Sequence, residues 1–200
     1  MRPQITIKTS QPFQRYILQE NDSDDEMDDL AAFRDRVIDE LAGRVEVIDE
    51  LEARSGLEFQ TFGIDAWVYT GRDKAISSPI MLPRRDDPQV AFFELVFLLA
   101  KELIFQNQDS LEDHEMLESG FEALDVTAGL IAYTATAAVE DEDFVDDLLD
   151  TSVFGGDALK TWRAVKEHAA EMEDGTVLDH LGIDQQNDDQ DDVKEIAEKM

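Results

Sequence analysis

The sequence predicts an α+β fold: one small sheet followed by a block of packed helices. Three observations lead there. Apolar residues alternate with polar ones only in the N-terminal part of the chain, before Pro88. From Pro88 onward they recur at helical spacing and go on doing so. A length of 200 residues with 42% hydrophobic content suits one domain with its own core, placed at 1–183 and followed by an acidic polar tail at 184–200.

The elements follow in order. Gln4–Lys8 alternates polar and apolar, as a short half-buried strand does. Asn21–Asp29, NDSDDEMDD, reads as a polar linker whose acids favour the start of the next helix. Those acids resemble a calcium loop, but the central Gly and the closing Glu are missing at their spacing, so a solvated loop is the reading. Leu30, Phe33, Val37, Leu41, Val45, Ile48 and Leu51 recur at three- and four-residue steps and predict one long amphipathic helix stopped by Gly56. Gly43 weakens its middle by about 1 kcal/mol, and a bend is expected there.

Leu57–Asp73 holds two interleaved sets, Ile64, Ala66, Val68 and Asp65, Trp67, Tyr69, and predicts one strand or two broken at Gly63. Ser77–Arg85 is a second extended piece, with Pro79 and Pro83 expected to confine it to a sheet edge. Helix Pro88–Gln106 is apolar all round and therefore central. The next, Glu115–Val139, ends in the small-residue stretch Ala128–Val139, which lets a neighbour approach closely. A short helix at Asp143–Asp150 precedes another at Asp157–Glu173, capped by Asp157 after Gly155 and Gly156. A weak helix is expected at the end of the tail.

Charge is the abnormal quantity. There are 48 acidic residues against 17 basic ones, a net charge of −31, and Lys is scarcer than Arg. Self-repulsion at that density destabilises a compact chain in dilute buffer, and concentrated salt screens it. Because the acids are spread along the chain, the composition resembles that of proteins from the high-salt cytoplasm of haloarchaea. An even spread also argues against imitation of DNA, and no basic patch is present to bind nucleic acid. The absence of Cys excludes disulfides, thiolate metal sites and cysteine nucleophiles. MRPQITIKTSQPF lacks the apolar core of a signal peptide, and Val90–Ala100 is too short to span a bilayer and is broken by Glu94. A cytoplasmic protein is expected, or alternatively a virion component, with no membrane partner.

One stretch carries a chemical pattern. Leu98–Gln108 reads LLAKELIFQNQ, two letters from LLAHELIHQNQ. A zinc peptidase helix needs two His one turn apart, so that both imidazoles meet one metal, and a Glu beside the first to serve as base. Lys101-Glu102-Leu103-Ile104-Phe105 keeps the Glu and the turn and has lost both ligands. Phe93-Glu94-Leu95-Val96-Phe97 has the same spacing with Phe twice, but its flanks fit less well. A buried helix rich in Leu, Phe and Glu can also spell these letters by chance.

With its context, ARSGLEF, IDAWVYT and SSPIMLP before the helix and a further helix after it, the segment from about Arg34 to Val139 resembles small prokaryotic zincin-like peptidases. The resemblance implies a zincin-like fold without catalysis or zinc. In it Glu102 is a vestigial base position, and Glu118, Glu122 or Asp125 stands on the third-ligand side. Phe97, Lys101, Phe105, Glu122 and Asp125 are then the binding residues of a former cleft. The expected function is a non-catalytic binding or scaffold protein adapted to high salt, with a protein or peptide partner, no cofactor and an oligomer compatible. An alternative is a structural protein of a haloarchaeal virus, of the head–tail joining kind. A carboxylate-only enzyme using Glu94 and Glu102, two turns apart, is the remaining reading. A metal pair of His114 with Glu118 is disfavoured, and His168 and His180 are expected to be surface or capping residues.

Overall fold

The computed structural model describes residues 2–10, 12, 24–70, 75–77, 79–111, 121–150, 157–172 and 174–183. Among them the order is β1 (Gln4–Lys8), α1 (Asp24–Gly43), α2 (Val47–Ser55), β2 (Gly63–Tyr69), β3 (Ile76–Ser77), β4 (Ile80–Pro83), α3 (Pro88–Gln106), a 3-10 turn (Gln108–Leu111), α4 (Phe121–Val139), α5 (Glu142–Asp150), α6 (Asp157–Glu171) and α7 (Val177–His180). The fold is α+β, with a mixed four-stranded sheet of order β1-β2-β4-β3. β1, β2 and β4 run parallel, and β3 returns antiparallel on β4.

Three sequence expectations are corrected by the backbone. The predicted long helix is two helices. Arg44 N–H bonds to the Leu41 carbonyl and Val47 N–H to the Arg44 carbonyl, three-residue steps that tighten the chain into a turn after Gly43. A break stands where a bend was expected. The Arg44 side chain fills the corner. It pairs with Glu40 and Glu140 and lies between the Phe92 and Phe144 rings, at 5.4 and 5.1 Å. Gly56 does end α2, at φ 77°, where a side chain would be strained.

The second correction concerns Ile80–Pro83, which is an interior strand and not an edge. Pro79 precedes it and Pro83 is its last residue, so neither removes a donor from within the ladder. The two-residue β3 takes the edge. β2 is one strand that starts at Gly63 and is unbroken. The acidic segment is also reassigned, since Asp24–Asp29 already belongs to α1.

One buried cluster runs from Ile7 through the sheet and helices to Ile183. Helix α3 is its centre, with Val90–Val96, Leu98–Ala100, Leu103 and Ile104 all buried. Its start is set by Asp87, whose carboxylate accepts from Gln89 N–H at 2.8 Å, and by Pro88 at the first helical position. The small-residue stretch of α4 does admit a close neighbour. A Cβ on Gly129 would stand 2.7 Å from Val165 Cγ2 and 3.2 Å from Trp162 Cζ3 of α6. Gly155, Gly156 and the tail at 184–200 lie outside the described residues, as does the Asp157 side chain.

Candidate functional site

Helix α3 is so apolar that its charged side chains stand out, and Glu94, Lys101 and Glu102 each meet a different neighbour. Successive residues turn by 100°, so Lys101 and Glu102 leave the helix in different directions.

Lys101 faces the helices. Its Nζ donates to Asp125 Oδ1 of α4 at 2.7 Å, and its ammonium lies 5.6 Å from the Phe97 ring centre. Phe97 in turn meets the Trp162 ring of α6 edge-on at 5.4 Å, and Phe93 meets it at 5.2 Å. The Lys101 side chain is 12% exposed and that of Asp125 36%. Such a pair contributes on the order of 1 kcal/mol, since one partner stays wet. An ammonium offers three donors and no lone pair, so Lys101 holds a carboxylate here and is not itself a metal ligand.

Glu102 faces the loop before β2. Its Oε1 accepts from Gln106 Nε2 at 2.9 Å, and that same amide donates to Thr61 Oγ1 at 3.2 Å. Gln60 N–H donates to Gln106 Oε1, while Asn107 donates to the Glu58 carbonyl, which ties the end of α3 to this loop. The loop ends at Phe62, whose side chain is 75% exposed beside the network.

Glu94 faces the exit of β4. It is buried and receives a two-pronged bond from the Arg85 guanidinium, with Nε to Oε2 at 3.0 Å. Burial pushes its carboxyl above the usual range, and Arg85 pulls it partly back. Glu94 and Glu102 therefore serve separate networks, which does not fit a shared catalytic pair.

Of the residues expected at a former cleft, the structure brings Phe97, Lys101 and Asp125 together. Phe105 is half-buried and packs against the core. Glu122 falls in α4, and its side chain, like His114 and Glu118, lies outside the described residues. The hydrogen-bond and ring partners of Lys101 both lie on helices and not on the sheet. The expectation that the following helix presents an acid within reach of position 101 is met by Asp125. Among the described residues, no group of three or more His, Asp or Glu is placed to hold a metal ion, and no helix is long and apolar enough to cross a membrane.

Two arrangements escaped the sequence. An open cavity of about 650 Å³ lies between α2, α4, α5 and α6, lined by Arg54, Tyr133, Glu142, Met172 and Asp174 among others. Tyr133 donates to Asp146 at 3.2 Å, and burial together with Asp146 raises its phenol to about 12. His168 and His180 meet edge-on, with ring centres 5.7 Å apart. Neither could be read from spacing, because each depends on how separate helices cross.

No family model, curated protein or solved structure matches this chain.

Proposed function

We propose that the chain is a non-catalytic, salt-adapted binding or scaffold domain with a zincin-like ancestry. The observation that carries this reading is the Lys101–Asp125 pair. In a zincin-like arrangement, position 101 supplies the first imidazole and the next helix supplies the third ligand. Here an ammonium takes the cation's part, and Asp125 is its counter-charge at 2.7 Å. The positive charge that a metal would bring is thereby supplied by the chain itself, beside the Phe97 ring, which Trp162 meets edge-on.

Support for a binding role comes from the Glu102 side. Phe62, the most exposed large apolar side chain among the described residues, stands next to a polar network that holds its loop in place. An exposed aromatic on a held loop suits a contact with a protein or peptide. The charge of −31 supports adaptation to a high-salt interior.

The reading is tested by assaying the chain in multimolar KCl with added Zn²⁺ against casein and a peptide library. No turnover is expected. Hydrolysis that disappears in Glu102→Gln would overturn it.

A further inference from the structure

The geometry points to a second site: His168 and His180 form a two-imidazole site for a divalent transition-metal ion, which clips α7 onto α6. Their ring centres are 5.7 Å apart and their planes are at 83°. A metal bound to one nitrogen of each ring at roughly 2.0–2.1 Å, in tetrahedral geometry, holds the ring centres roughly 5 Å apart. The spacing of the centres thus suits a shared ion, and the edge-on rings need to turn so that one nitrogen of each points to it.

The two residues are not held together by chance side-chain drift. His168 sits in the last turn of α6, where the helix carbonyls favour a cation. The chain then turns at Gly175, at φ 139°, and enters α7 through a capping box. Thr176 Oγ1 accepts from Asp179 N–H, and the Asp179 carboxylate accepts from Thr176 N–H, both at 3.1 Å. Val177 and Leu178 are buried, and Ile183 N–H bonds back to the Leu178 carbonyl at 2.8 Å, so α7 is anchored from both ends. Both residues are half-buried, so neither is sealed off from solvent. Imidazole pairs suit borderline ions such as Zn²⁺, Ni²⁺ and Cu²⁺, with water completing the shell. A surface this acidic also concentrates cations around itself.

The test is titration of the full chain with Zn²⁺ and Ni²⁺ by calorimetry in multimolar KCl, together with Cu²⁺ electron paramagnetic resonance. One ion per chain is expected. His168→Ala and His180→Ala should each raise Kd by at least about tenfold, the least that loss of even an outer-sphere partner costs. His114→Ala should leave it unchanged. No uptake, or uptake that survives either of the first two substitutions, would overturn the site. The resonance spectrum of the unaltered chain is independent of any folding defect in the variants. It should show two ring nitrogens on copper, and one or none refutes the pair.

Discussion

Replacing Gly129 by Ala should destabilise the protein even though Ala is the better helix former. In a helix interior Ala gains about 1 kcal/mol over Gly. Against that, the new Cβ would stand 2.7 Å from Val165 Cγ2, about an ångström inside the ordinary carbon–carbon contact of roughly 3.5–4.0 Å. Overpacking of this kind costs about 1–3 kcal/mol. The net is a loss of about 1 kcal/mol, or roughly 2–4 °C in Tm for a chain of this size. In a Val165→Ala background Cγ2 is gone, leaving the Trp162 ring, with Cζ3 at 3.2 Å and Cη2 at 3.7 Å. There Gly129→Ala should become neutral or stabilising, a coupling of about 1–2 kcal/mol between two residues in contact. Gly43 supplies the control. Nothing lies within 4 Å of its Cβ position and its φ is not positive, so Gly43→Ala should stabilise by about 0.5 kcal/mol. Urea unfolding at fixed, high KCl reads all four variants. The close-packing argument fails if Gly129→Ala raises the midpoint in the native chain, or if its cost is unchanged beside Val165→Ala.

Other consequences can be measured separately. Tm should rise by many degrees between about 0.1 M and multimolar KCl, because screening relieves the repulsion of the −31 charge; a flat Tm would contradict the salt adaptation. Arg85→Ala strands the buried Glu94 carboxylate and should cost about 3–5 kcal/mol at neutral pH. That cost should shrink as the pH falls and Glu94 takes up a proton; denaturant midpoints of both chains at several pH values check the sign. Tyr133 is raised to about 12, so the folded chain holds this proton after the unfolded one has released it. Stability should therefore decline between about pH 10 and 12, and Tyr133→Phe should remove the last phenolate step in an absorbance titration.

How much of this was legible depended on whether a feature is local. The central helix was readable from Asp87 and Pro88 onward because its cap and its all-round apolar pattern are consecutive letters. The small-residue stretch around Gly129 announced a close helix contact, though not that Trp162 and Val165 would make it. The break after Gly43 was read only as a bend, since Val45 and Ile48 keep the helical spacing across it while the Arg44 corner is fixed by Glu140 and two rings far along the chain. Pro79 and Pro83 misled because their rule concerns strand interiors, whereas Pro79 precedes this four-residue strand and Pro83 ends it. At the candidate site, position 101 and an acid on the next helix were readable from the motif. That Asp125 is that acid depended on how α3 and α4 cross. The meeting of His168 with His180 had no signal in the letters, since eleven residues, a glycine turn among them, separate the two.

The most direct test rebuilds the lost ligands. Lys101→His with Phe105→His, in a chain whose His168 and His180 are already Ala, places two imidazoles one turn apart on α3, with Asp125 opposite the first. If Lys101 stands where a metal-binding imidazole once stood, this chain should take up one Zn²⁺ at micromolar level or better, measured by calorimetry and metal analysis, and Asp125→Ala should weaken it. The unrebuilt parent, with Lys101 and Phe105 in place, should take up none. No uptake by the rebuilt chain, or uptake indifferent to Asp125, would contradict the zincin-like ancestry and leave KELIF an ordinary stretch of core helix.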